Sequence, residues 1–136
     1  MTAVRLHHVG IAVPDLAAAA RVYREALGLP PGVPEHVERD AVAVLVVPAG
    51  GVLLELLQPL DDRGPVARFL ARRGPGVHHV AFAVPDVTAA LERARAAGVT
   101  PIDEAPRPGA HGWRVAFLHP RDLHGVLVEL VEDPGA

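Results

Sequence analysis

One stretch of this chain is written twice, as Leu6-His7-His8-Val9-Gly10-Ile11-Ala12-Val13-Pro14-Asp15 and again as Val77-His78-His79-Val80-Ala81-Phe82-Ala83-Val84-Pro85-Asp86. Residues 6–19 and 77–90 agree at nine of fourteen positions. A second echo sets Gly51-Val52-Leu53-Leu54-Glu55-Leu56-Leu57 against Gly125-Val126-Leu127-Val128-Glu129-Leu130-Val131, with five identities in seven. The 136 residues are therefore a duplication. Each module has about 70 residues, near the lower limit for folding alone, so the halves are expected to share a core or a sheet.

Alternation in the first copy puts His8, Gly10 and Ala12 on one side of a strand and His7, Val9, Ile11 and Val13 on the other. The aliphatic side is expected to enter the core, which leaves His8 among small residues where a ligand can approach. In the second copy His79, Ala81 and Ala83 oppose His78, Val80, Phe82 and Val84. Asp15 and Asp86 read as N-caps of helices that close at Gly28 and Gly98. Strands are then expected at 35–39, 41–47 and 51–58 in the first module and at 99–103, 113–118 and 125–131 in the second, with a helix from Pro65 to Arg73 between them. Each module reads βαβββ. The organisation expected is one domain over 1–136, with module one at 4–60, a linker with its helix at 61–75 and module two at 76–133. The Pro/Gly-rich segment from Glu104 to Gly112 reads as a loop that covers the site.

Each half carries one His pair and one lone Glu, Glu55 or Glu129, inside an apolar run. A buried carboxylate is unfavourable unless a cation or hydrogen-bond donors compensate it. Two His and two Glu at equivalent places point to one divalent ion such as Co²⁺, Zn²⁺, Ni²⁺, Mn²⁺ or Fe²⁺. The bland alternative puts both carboxylates on a solvated strand face, although Leu53, Leu57, Leu127 and Val131 share those faces. By phase His7 and His78 point away from the site and are expected to be structural. His111, in the Gly-rich loop, is a candidate for substrate contact. His36, His119 and His124 are expected in exposed turns, and Asp61, Asp62, Asp122 and Asp133 read as solvated turn residues.

Composition removes several chemistries. There is no Cys, Ser, Lys or Asn, so all thirteen basic residues are Arg and the usual Ser, Cys and Lys nucleophiles are missing. The Arg bias with fourteen Pro suits a thermophile or a GC-rich genome equally. A net charge of −3 offers no basic field for nucleic acid. The sequence has neither an uninterrupted apolar leader near Met1 nor an apolar run of membrane-spanning length, so a cytoplasmic protein with no membrane partner is expected.

With these residues assembled, the chain resembles the vicinal oxygen chelate superfamily and, within it, the methylmalonyl-CoA epimerases. The motifs that carry the likeness are Leu6 to Val13, Leu54-Glu55-Leu56-Leu57-Gln58-Pro59-Leu60, Gly76 to Phe82, and above all Arg107-Pro108-Gly109-Ala110-His111-Gly112 followed by Val115 to Asp122 and Gly125 to Leu130. The resemblance implies an α+β fold whose two βαβββ modules form a cupped, mostly antiparallel sheet with flanking helices. It implies His8, Glu55, His79 and Glu129 as metal ligands, where some members have Gln at position 55, with cobalt the foremost metal. It also implies a homodimer acting on a CoA thioester, and interconversion of the (R) and (S) epimers through a metal-stabilised enolate. Glu129 is then the candidate catalytic base, and Arg121, standing where Lys is usual, a candidate for attracting a CoA phosphate or substrate carboxylate. Some members carry a second Glu where this chain has Ala41 to Pro48 without an acid, so the opposite-face base is unassigned. Two competing functions stay open on sequence, a glyoxalase I-type lyase and a non-enzymatic binder on the same fold.

Overall fold

A computed structural model of the chain describes residues 4–135. It divides into two compact units, one of His8–His78 and one that joins His79 onward to the residues through His7. Strand β1 (Arg5–Ala12) straddles that boundary.

In the unit of His8–His78, β1 leads into helix α1 (Leu16–Leu27), strands β2 (Val33–Val37), β3 (Val42–Ala49) and β4 (Val52–Pro59), and helix α2 (Pro65–Arg73). The strand order is β2-β3-β4-β1, with β2–β3 and β3–β4 antiparallel and β1–β4 parallel. Ala12, Val42, Val44, Val46, Leu57 and Val66 form its buried cluster, with Phe69 and Leu70 of α2 packed against it.

The second unit repeats the plan with strand β5 (Gly76–Ala83), which like β1 crosses the boundary, helix α3 (Val87–Ala96), and strands β6 (Arg107–Pro108), β7 (Arg114–Leu118) and β8 (Val128–Glu132). Its order is β5-β8-β7-β6, again with one parallel pair, β5–β8, and two antiparallel pairs. Leu91 and Val87 of α3 pack with Val84, Ala116, Leu118 and Leu130. Both units are thus βαβββ, and the fold is α+β as expected.

The helix starts follow from two devices each. Asp15 Oδ1 accepts the N–H of Ala18 at 3.1 Å and Asp86 Oδ1 that of Ala89 at 3.2 Å, as expected of N-caps. The second device spans far more sequence. Gln58 Oε1 accepts the N–H of Leu16 at 2.7 Å, and Glu132 Oε1 accepts that of Val87 at 2.6 Å. These two residues stand three places after Glu55 and Glu129, so the strand that carries each lone carboxylate is also tied to its own module's helix. The helix α1 closes at Gly28, whose φ of 71° is a left-handed conformation open to glycine at little cost.

Three expectations need correction. No strand forms at 99–103, where only an isolated bridge joins Pro101 to Leu118. Pro101 has no N–H for a ladder, and Asp103 uses its side chain to accept the Phe117 N–H at 2.8 Å, so a side chain takes the place of a backbone partner. The edge strand is instead Arg107–Pro108, inside the segment read as an uninterrupted loop. The third correction concerns faces: His8, Gly10 and Ala12 are buried, whereas Val9 and Ile11 are only half-buried. On that second face His7 and Val13 are buried all the same, so alternation identifies two faces and the packing of other elements decides how far each position is covered. Among the described residues, no helix is long and apolar enough to cross a membrane.

Candidate metal and catalytic site

The register of each parallel pair sets a histidine against a carboxylate. In the first unit Gly10 stands opposite Glu55 and His8 opposite Leu53, and His8 Nε2 lies 3.3 Å from Glu55 Oε2. In the second, Ala81 stands opposite Glu129, and His79 Nε2 lies 3.1 Å from Glu129 Oε1. The small residues expected beside the histidines are therefore the ones facing the carboxylates, where a larger side chain would compete for the space.

All four side chains are buried, between 1% and 9% exposed. The solvated-face alternative for Glu55 and Glu129 is thereby excluded. Two donors that bind one ion at about 2.1 Å, at an angle of about 90–110°, lie about 3.0–3.4 Å from each other. Both observed nitrogen-to-oxygen separations, 3.3 and 3.1 Å, fall in that interval. Each unit thus offers one buried imidazole nitrogen and one carboxylate oxygen, His8 with Glu55 and His79 with Glu129, donor types that suit a divalent ion. The residues present fit the metal that the sequence implies.

The remaining candidates are more dispersed. His111 sits at φ 56° in a short 3-10 turn, exposed, its ring tilted against Trp113 with centroids 5.1 Å apart. Arg121 is exposed and reaches Thr100 Oγ1 at 3.5 Å and Asp122 at 3.9 Å. His36 lies in strand β2 rather than a turn, and the Nδ1 of His119 accepts the N–H of Arg121 at 3.2 Å.

His7 is structural, as its phase suggested, and buried at 5% exposure. Its Nε2 meets Asp133 Oδ2 at 2.8 Å, and its ring meets Trp113 edge-on at 4.6 Å. Asp133 is therefore a clasp on strand β1 and not the solvated turn residue expected, because a partner 126 positions away leaves no local signal. Burial opposes the charge of Asp133, yet the hydrogen bonds from His7, from the N–H of Gly135 and from Trp113 outweigh it and hold the carboxyl below its usual range. A carboxyl lowered on folding stabilises the fold fully above its unfolded pKa of about 3.9, and that contribution is lost as pH falls through the folded value. Asp133→Asn is thus expected to flatten part of the acid-unfolding slope below about pH 4 and to destabilise the protein at pH 7 by about 1–3 kcal/mol, because it weakens the bond that satisfies a buried ring. Urea midpoints at pH 3, 4 and 7 check this; equal losses at all three would refute the assignment.

Gln58, Glu132, Trp113 and Phe117 escaped the sequence reading. For Gln58 and Glu132 a signal existed: the second echo, extended by one residue, places a polar side chain at the same point in both halves.

The family model described as glyoxalase/bleomycin resistance protein/dioxygenase superfamily matches residues 7–117. The ethylmalonyl-CoA/methylmalonyl-CoA epimerase of Cereibacter sphaeroides is 44% identical over 128 residues, covering 93% of this chain and 96% of that protein. The mitochondrial methylmalonyl-CoA epimerase of Homo sapiens is 40% identical over 127 residues, covering 93% and 72%. Among solved structures, a variant of the Streptomyces coelicolor methylmalonyl-CoA epimerase in complex with 2-nitronate-propionyl-CoA superposes with a TM-score of 0.91 at 38% identity, covering 95% of this chain and 94% of that one. On the family match and these identities together, the chain belongs to the glyoxalase/bleomycin resistance protein/dioxygenase superfamily.

Proposed function

We propose that this protein is an isomerase that interconverts the (R) and (S) epimers of methylmalonyl-CoA, with His8, Glu55, His79 and Glu129 together holding one divalent ion. The observation that carries the reading is the duplicated buried imidazole–carboxylate pair, at 3.3 Å in one half and 3.1 Å in the other. The named relatives and their sequence coverage favour this over glutathione-dependent lyase chemistry. A bound divalent cation supplies Lewis acidity that draws charge onto thioester and carboxylate oxygens and so acidifies the α-hydrogen.

The chain's own residues do the rest. His8 and His79 present nitrogen donors on strands whose small neighbours leave room beside them. Glu129 serves both as ligand and as the base for the α-proton, since a carboxylate has a second oxygen to spare for the proton. No nucleophile is required, which agrees with a chain lacking Ser, Cys and Lys. His111 and Arg121 are assigned to the substrate, Arg121 through its exposed guanidinium and the anionic groups of the CoA thioester. Cobalt and a homodimer, carried from the family resemblance, complete the proposal together with a cytoplasmic setting and one working domain with modules at 4–60 and 76–133 joined through 61–75, both expected from the sequence.

Incubating the metal-loaded protein with one epimer in D₂O is expected to bring deuterium into the α-position, and chelator treatment is expected to abolish the exchange until Co²⁺ is restored. Absence of exchange with every divalent ion tried would overturn the reading. Tight binding of an S-alkyl glutathione would favour the lyase instead.

A further inference from the structure

The His79–Glu129 pair of the second half stands beside an aromatic and ionic stack. Phe117 stands opposite Glu129 in the β7–β8 register, and its ring meets the His79 imidazole edge-on, with centroids 5.5 Å apart and planes at 84°. The guanidinium of Arg107 lies over the same phenyl ring, 5.6 Å from its centroid. Asp103 grips this stack at two points: Oδ1 accepts from Arg107 Nε at 3.0 Å, and Oδ2 accepts from the Phe117 N–H at 2.8 Å. The Arg107 and Asp103 side chains are only 12% and 18% exposed, so the pair is sheltered from the solvent that weakens surface ion pairs. In the first half the residue opposite Glu55 is Val46. The stack sits beside the half that holds the proposed base.

An imidazole can rotate about its last side-chain bond, and an aromatic ring packed edge-on restricts that rotation. The direction of His79 Nε2, which lies 3.1 Å from Glu129 Oε1, then depends on where Phe117 stands. Phe117 in turn is held through its backbone by Asp103 and across its face by Arg107.

We propose that Asp103 and Arg107 are positioning residues for the His79–Glu129 pair: through Phe117 they set the plane of the His79 imidazole and so strengthen its hold on the metal. The proposal rests on the metal reading above for its second half only. Groups that orient a metal ligand without touching the metal typically contribute about 10–100-fold in affinity.

The test uses the full chain as wild type, Asp103→Ala and Phe117→Leu, with Asp61→Ala as a control at an ion pair on the surface. In the metal-free proteins the ¹⁵N signals of the His79 imidazole are read by NMR; with Co²⁺ added, the visible absorption band and the affinity in competition with a chelating indicator are read. Asp103→Ala and Phe117→Leu are each expected to shift the His79 signals and the cobalt band and to weaken Co²⁺ binding by about 10–100-fold, while Asp61→Ala matches wild type. If Asp103→Ala fails to fold, Phe117→Leu decides, since it keeps an apolar side chain and both backbone groups of Phe117. Unchanged His79 signals with Co²⁺ affinity within twofold of wild type overturn the positioning role. A wild type that binds no Co²⁺ while the variants still move the His79 signals overturns the metal reading and leaves the orienting role standing.

Discussion

Glu129→Gln is expected to slow α-proton exchange in methylmalonyl-CoA by about 10²–10⁴-fold, measured by deuterium incorporation at saturating Co²⁺. The substitution keeps the shape and one carbonyl oxygen but removes the group that takes the proton. Glu129 lies in β8 between positions whose side chains build the core, with Leu130 and Val131 buried beside it, so the strand should keep its place. Glu55→Gln makes the informative contrast. It also retains an oxygen donor, the family resemblance admits Gln there, and it is expected to exchange at a rate within about tenfold of wild type because no proton transfer is assigned to it. Should Glu129→Gln retain exchange within threefold of wild type while binding Co²⁺, the role of Glu129 as base is wrong.

The largest expected loss of stability is at Leu91→Ala. Leu91 is 1% exposed on the inner face of α3 and packs with Val84, Val87, Ala116, Leu118 and Leu130. Truncation removes its transfer free energy and leaves a cavity that strands β7 and β8 cannot close without giving up their ladder. The expected cost is about 2–5 kcal/mol, which for a domain of this size lowers Tm by about 10 °C or more. Val22→Ala on α1, where Val22 is 59% exposed, is the matched control and is expected to change stability by less than about 0.5 kcal/mol. Thermal melts of the metal-free variants compare the two directly. Similar shifts in both would mean that α3 does not anchor this core. Because Leu130 is the immediate neighbour of Glu129, a repacked core should also loosen the His79–Glu129 pair and weaken Co²⁺ binding.

Helices, most strands and the imidazole–carboxylate pairs were legible before any coordinates, and for one reason. Duplication turned weak local signals into paired ones. A lone His8 or a lone Glu55 carries little meaning, but the same residue at the same phase in both halves distinguishes a designed position from an accident. Asp15 and Asp86 were readable because a cap acts on N–H groups only three residues away. The strand expected at 99–103 failed because its competitor was not local: Asp103 had already committed a carboxylate oxygen to the N–H of Phe117, fourteen residues on.

By itself, then, the sequence determined that there are two βαβββ modules, that each has one histidine pair and one lone glutamate in apolar strands, and which helix begins where, since all of these depend on spacing within a few residues. Only the tertiary structure decided that the small-residue face of β1 is buried while Val9 and Ile11 are only half-buried, that Gln58 and Glu132 close the helix starts, and that Asp133 clasps His7 and Asp103 steadies Phe117. Those outcomes depend on side chains meeting across many residues of chain, and periodicity carries no record of which distant partner arrives.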